Sequence, residues 1–140
     1  MTQPTSDLNE LLKSMQPVLN LGVFVFASIA RDQVYKQTLD PALIVASIHE
    51  PEGLSVIMAE QDAQRYGLQA LFSCAWITLT VHSDLQAVGL TAAFATALGD
   101  AGISCNVVAG AYHDHLFVPL ESAQQAMNEL LALQNRARRC

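Results

Sequence analysis

At 140 residues the chain is one compact unit, or two small half-domains that share a core. Hydrophobic residues make up 51% and charged residues only 14%, which supplies ample core material and implies that some apolar surface meets a second copy, as in a homo-oligomer. The 13 acids outnumber the 7 Lys and Arg, and Arg136, Arg138 and Arg139 crowd the C-terminus, which leaves too few cations to neutralise a nucleic-acid backbone.

The apolar runs at 21–30 and 87–98 fall well short of the ~20 residues that span a bilayer, so no membrane partner is expected. The polar N-terminus has no basic region ahead of an apolar stretch, and no signal peptide is predicted. Cys74, Cys105 and Cys140 are odd in number, widely spaced and form no C-x-x-C pair, which points to a cytoplasmic setting. Cys74 and Cys105 sit in apolar runs without a neighbouring Lys or Arg to hold a thiolate, so they read as packing residues.

Along the chain, Leu8, Leu11, Leu12 and Met15 mark one face of a helix over 7–15, with Asp7 and Glu10 as a capping pair and Pro17 as its stop. Residues 22–29 form a continuous β-branched and aromatic run, the mark of a buried strand. The polar stretch 31–41 reads as a loop. Two further strands, 43–49 and 54–58, flank a Glu50-Pro51-Glu52-Gly53 turn, and 60–66 makes a short helix ending at Gly67.

The second half has a cleaner pattern. Residues 75–82 alternate Thr78 and Thr80 with Ile77, Leu79 and Val81, as a strand covered on one face does. A helix over 88–101 turns Leu90, Phe94, Ala97, Leu98 and Ala101 inward and ends at Gly102. A strand over 103–108, a turn at 110–112 and a returning strand over 115–118 follow. Ser122 and Gln125 propose a capping box for a last helix whose inner face is Ala123, Met127, Leu130 and Leu131. Residues 136–140 read as a frayed tail.

Strand, helix, strand, strand, helix is a βαββαβ ferredoxin-like unit without its closing strand. The first half reads helix, strand, strand, strand, helix, with one strand to spare. The expected fold is therefore α+β: two ferredoxin-like halves with antiparallel sheets, 1–70 and 71–135, sharing or exchanging strands.

Residues 76–83, Val88-Gly89-Leu90-Thr91, the run 98–104 and the run 106–110 together resemble the ACT domain, in which an alanine-rich helix leads through Ala-Gly-Ile into a strand. The resemblance covers about 75–133; the first half is similar mainly at 22–29 and 50–58. The stretch 81–119 is similar to small bacterial proteins with tandem ACT-like halves, and to the ACT modules of aspartate kinases and cytosolic arginine sensors. This resemblance implies units that pair side by side and bind an amino acid at the interface between them. It also implies a regulatory module with no catalytic activity of its own.

The residues support a ligand site at the turn from strand to helix, 82–91. The first amides of a helix have no internal partner, and the helix dipole adds partial positive charge, so a carboxylate fits there without Lys or Arg. Val88, Gly89, Leu90 and Thr91 would present those amides, with His82 or Ser83 beside them and Asp84 or Asp114 for an ammonium group. Gly89 would let the ligand approach the backbone, and at a helix edge its replacement by Leu should block binding and spare the fold. The plainer alternative is that Ser83 and Gln86 cap the helix and Gly89 only allows close packing. No Gly-rich phosphate loop is present and no cofactor is implied.

The ends of the first and third strands should bring His82 near His113, Asp114 and His115. Three imidazoles could then converge on Zn²⁺, which keeps a small metal protein or enzyme open beside the binding module; the alternative is that each hydrogen-bonds backbone or water. Asn106 interrupts an apolar strand, where a buried amide needs partners: it ties down a corner or contacts the ligand. Cys105 with His82 or His113 is a conceivable nucleophile and base, and Asp114 with Glu121 a conceivable carboxylate pair, but nothing in the sequence fixes either geometry.

Overall fold

The closing strand that the second half lacks comes from the start of the chain. In the computed structural model, which describes residues 7–34, 38–81 and 85–139, the chain divides into two compact units. One runs over Met1–Leu21 and Ala75–Cys140, the other over Gly22–Cys74.

In the first of these, α1 (Leu8–Ser14) leads into the three-residue strand β1 (Pro17–Leu19). The chain re-enters the unit in β5 (Phe72–Leu79), followed by α3 (Leu90–Asp100), β6 (Asn106–Ala109), β7 (Asp114–Pro119) and α4 (Ala123–Arg138). The sheet order is β1-β5-β7-β6, and β1 runs antiparallel to β5 with Pro17 opposite Leu79 and Leu19 opposite Ile77. With β1 as the fourth strand, this is the complete ferredoxin-like order. Thr80 ties the corner: its amide and its hydroxyl donate to the Gln16 carbonyl at 2.9 and 3.0 Å.

Helices cover one sheet face. Leu11 of α1 and Met15 at its C-cap, Phe94 and Leu98 from α3, and Leu130 from α4 meet Ile77, Leu79, Leu116 and Val118 in a core from which water is excluded. Each such side chain contributes roughly 1.5–3 kcal/mol on burial. A helix as short as the seven residues of α1 is marginal by itself. It is held by this packing and by the Asp7 side chain, which accepts the Glu10 amide at 3.0 Å as the sequence predicts.

The other unit contains β2 (Phe24–Ala30), β3 (Ile44–Glu50), β4 (Gly53–Ala59) and α2 (Glu60–Arg65). Its sheet order is β3-β4-β2, and the first residues of β5 pair with β2 through Phe24–Cys74 and Phe26–Phe72. Val25, Ala27, Ile29, Val56 and Met58 pack with Ala63 of α2 in a separate core. Between β2 and β3 the described residues form 3₁₀ turns, Arg31–Gln33 and Pro41–Leu43, where the sequence suggests an irregular loop.

Several expectations shift. No side chain caps α4 at Ser122; a 3₁₀ turn, Leu120–Ser122, feeds the helix instead. Of the predicted inner face of α4, Leu130 is buried and Ala123 and Met127 pack against the core, while Leu131 is 41% exposed; Ala126, Gln134 and Ala137 complete the buried face. The helix also runs to Arg138, whose Nε donates to the Lys13 carbonyl at 3.0 Å, rather than fraying at 136. No helix among the described residues is long and apolar enough to cross a membrane.

Candidate functional site

Helix α3 begins at Leu90, two residues later than predicted, and Gly89 is its N-cap. Gly89 has φ +101°, a left-handed conformation, and no side chain caps the helix. Gly89 itself has no side chain to accept from the amides of that first turn, and the aligned peptide dipoles place partial positive charge there. Leu90 turns its side chain into the core, Thr91 is exposed, and Val88 is 84% exposed. His82, Ser83 and Asp84 lie outside the described residues.

Gly89 differs from its expected role at a freely substituted helix edge. A Cβ there would sit 3.0 Å from Leu8 Cδ2, and the positive φ disfavours any L side chain. Leu8 of α1 therefore packs directly over the start of α3. Both residues line a groove of about 510 Å³ that also borders Ala93, Ala97, Asp100 and Arg136.

Asp114 opens β7 and is buried, with burial raising its carboxyl above the ordinary value while His115 and His113 pull it back. His113 precedes the strand, and its Nδ1 is buried with no hydrogen-bond partner among the described residues. Among those residues no hydrogen bond or ion pair joins His113 or Asp114 to the start of α3, and neither borders the groove beside Gly89. Asn106 is exposed on β6, so it is neither a buried amide nor in need of partners.

His115 belongs to a network that sequence reasoning missed. Trp76 Nε1 donates to His115 Nδ1 at 3.0 Å, and the Thr78 hydroxyl lies 3.2 Å from the same nitrogen. Asn20 Nδ2 donates to Thr78 Oγ1 at 3.0 Å and to the Trp76 carbonyl at 3.1 Å. With Thr78 accepting from Asn20, its own proton is available to His115, so Nδ1 is unprotonated and the ring is the Nε2–H tautomer. The Trp76 ring stacks on Phe117, with centroids 6.3 Å apart. The signal in the sequence was the alternation itself: Trp76 and Thr78 share the strand face away from the helices. Burial and the neighbouring His113 lower the His115 pKa.

His115 Nδ1 is thus committed within the fold, and no group of three or more His, Cys, Asp or Glu comes together for a metal among the described residues. His82, the third member of the expected triad, lies outside them. Burial pushes the Cys105 thiol up to about 11, so it is protonated at neutral pH and a poor nucleophile. Cys74 is likewise pushed up to about 11, and its Sγ donates to the Phe24 carbonyl at 3.4 Å. Glu121 is exposed in the 3₁₀ turn before α4, while its supposed partner Asp114 is buried.

Comparison with known proteins agrees with this architecture. One ACT-domain family model matches residues 3–75 and a second matches 72–132. A crystal structure from Vibrio cholerae, of a protein of unknown function described as a possible transport protein, is 43% identical. It covers 91% of this chain and 95% of its own, with a TM-score of 0.76. The regulatory subunit of aspartate kinase from Thermus flavus is 13% identical with a TM-score of 0.63, over 84% of this chain and 95% of its own. A protein from Agrobacterium tumefaciens is 13% identical with a TM-score of 0.64, over 86% and 89%. At such identities the last two show a shared fold alone. No curated protein matches.

Proposed function

Because the chain belongs to the ACT-domain family and carries two such domains in tandem, we propose that it is a regulatory module that binds a free amino acid and catalyses no reaction itself. The observation that carries this reading is the N-terminus of α3, where the N-cap is a glycine in the left-handed conformation and supplies no side-chain cap to the backbone amides that follow it. A ligand carboxylate would accept from the amides of Leu90 and Thr91, with Val88 at the rim. The ammonium group would be met by Asp114 or Asp84, with His82, Ser83 and His113 as neighbours. A cation beside Asp114 would offset the cost of burying its carboxylate.

The same reading includes self-association, supported by the low charged fraction and by exposed apolar side chains such as Leu21 at 95% and Leu71 at 66%. Sedimentation that finds only the 15.1 kDa species at micromolar concentration would remove that part. The three widely spaced cysteines support a cytoplasmic setting.

The test is a thermal-shift screen of the twenty amino acids, followed by calorimetry. A ligand at a hundred times its Kd stabilises the fold by ~2.7 kcal/mol, which is easily seen. If none of the twenty moves the melting midpoint, the amino-acid reading fails.

A further inference from the structure

Of the 11 residues of α3, Asp100 alone carries a charge, and Thr91 and Thr96 are the only other polar side chains. A helix that is apolar all round belongs in an interior. In α3 one face is there: Leu90, Phe94 and Leu98 are buried, whereas Ala92, Thr96 and Asp100 are exposed and Ala93 and Ala97 half-buried. We propose that a second copy of this chain covers the outer face of α3. The two α3 helices pack antiparallel about a two-fold axis, with Asp100 of each copy paired to Arg136 of the other. This inference rests on the self-association already proposed and names the surface that carries it, a helix face and not a sheet edge.

The face is shaped to receive a helix. Ala92, Ala93, Thr96, Ala97 and Asp100 recur at the spacing of one helix face, and with Gly89 they border the groove of about 510 Å³ along the whole of α3. At 1.5 Å per residue that length is ~16 Å, or three turns. No side chain of this row is larger than threonine or aspartate, so a second helix can reach the close end of the roughly 8–10 Å range of interaxial distances. Leu8 of α1 and Leu133 of α4 border the same groove and add apolar surface. Helix α1 also fixes where the charges stand. Its Leu8 covers Gly89, and its last turn is held by Gln134 and Arg138. The end of α4, with Arg136, therefore lies beside the start of α3, and Asp100 stands at the other end.

Those charges select the occupant. One acid and one base border the groove, Asp100 and Arg136. An acidic partner would meet Asp100 and a basic one Arg136. The same surface turned about a two-fold axis instead sets acid against base twice, which is the self-complementarity of an isologous interface. Asp100 is also the last residue of α3, at the negative end of the helix dipole, and forms no salt bridge among the described residues. A carboxylate is disfavoured there. Antiparallel packing carries it to the positive end of the partner's α3, where Arg136 stands. The placement is thus unfavourable in the single chain and favourable in the pair.

Sedimentation equilibrium of the full chain tests this through the dissociation constant of the dimer. Thr96 is exposed near the middle of α3, close to the two-fold axis. Thr96→Arg therefore sets two arginines against each other and should raise the constant roughly tenfold or more. Asp100→Arg and Arg136→Asp should each weaken the dimer by a similar factor. The double reversal restores both pairs with the charges exchanged, and should return the constant to within about threefold of the wild type. All three side chains are exposed, so each variant should keep the wild-type helix content by circular dichroism. A wild type that stays monomeric throughout the micromolar range overturns the self-association reading and this surface with it. A wild-type dimer that Thr96→Arg leaves intact, or single reversals that the double one does not rescue, overturns the α3 face alone, and the copies meet elsewhere.

Discussion

The side-chain amide of Gln134 donates to the main-chain carbonyl of Met15 at 2.5 Å and to that of Lys13 at 3.0 Å. The last carbonyls of a helix have no partner within it, and here a buried glutamine from α4 supplies one. Gln134 is therefore the clasp that fixes the end of α1, and with it the entry into β1. Gln134→Leu keeps the volume but leaves the buried Met15 carbonyl without its donor and the Lys13 carbonyl with Arg138 Nε alone. It should destabilise the protein by about 1–3 kcal/mol, seen as a lower urea midpoint at unchanged slope.

Removal of residues 1–21 should be far more severe. That deletion strips β1 from the edge of β5 and takes Leu11 and Met15, both fully buried, out of the core. An unpaired strand edge and an opened apolar face favour association over folding. The remaining chain should show no cooperative melt for the unit that contains α3 and α4, and adding a synthetic peptide of residues 7–21 should restore part of it. A sharp, unchanged melt of the truncated chain would mean that β1 contributes little.

These contacts also explain what could be read from the sequence and what could not. Long periodic segments were legible: the apolar faces of α1 and α3 and the runs of β2, β4 and β5 each carry a repeat that burial imposes. Strand β1 was not, since three residues beginning with Pro17 show neither alternation nor a run, and only their partner β5 makes them a strand. On the inward face of α4, Ala123, Met127 and Leu130 were legible, whereas Gln134 was not, because a buried glutamine counts as polar in any periodicity. That Gly89 stands at the start of α3 could be read from the sequence; that Leu8, 81 residues away in sequence, packs over it could not. The Asn20–Thr78–His115–Trp76 network joins β5, β7 and the residue that follows β1, and no local pattern announces it.

That network predicts a pH response with a defined sign. The His115 pKa is lowered by burial first and by His113 second, with Asp114 opposing. The fold thus prefers neutral His115. Its contribution is complete above the ordinary value of 6.5 and is lost as pH falls from there through the lowered folded value. Protonation at Nδ1 also evicts the Trp76 N–H. Trp76 is the one tryptophan of the chain, so its emission should change on acidification below the ordinary value of 6.5 and recover on return. His115→Gln, which can accept but not titrate, should abolish the transition; a wild-type emission that stays constant from pH 8 down to the onset of acid unfolding would rule it out.

Asp114→Asn should separate binding from stability. Burial raises the Asp114 carboxyl above its ordinary value of 3.8, so the folded state prefers the neutral form. The stabilising contribution is present below 3.8 and lost as pH rises through the raised folded value. Asparagine imitates the neutral form. The variant should therefore melt higher than the wild type at pH 7, with the gap closing towards pH 3.5. If Asp114 meets the ammonium group of the ligand, the same variant should bind more weakly at pH 7.

Thr91→Glu offers the sharpest test of the site at α3, because its two effects have opposite signs. Gly89 itself is a poor probe: its φ of +101° and the Leu8 contact mean that any side chain there strains the fold. Thr91 is exposed in the first turn of α3, where added volume meets solvent. A glutamate in that turn interacts favourably with the helix dipole and should raise stability by about 0.3–1 kcal/mol at low ionic strength. Yet it places a negative charge beside the amides that are assigned to the ligand carboxylate. Like charges within ~5 Å at a surface repel by a few kcal/mol, so the affinity for any amino acid that stabilises the wild type should fall at least tenfold. Added salt should restore part of that loss through screening. Calorimetry and a melt on one preparation read both outcomes. Should Thr91→Glu melt higher and bind with unchanged affinity, the carboxylate does not lie at the start of α3.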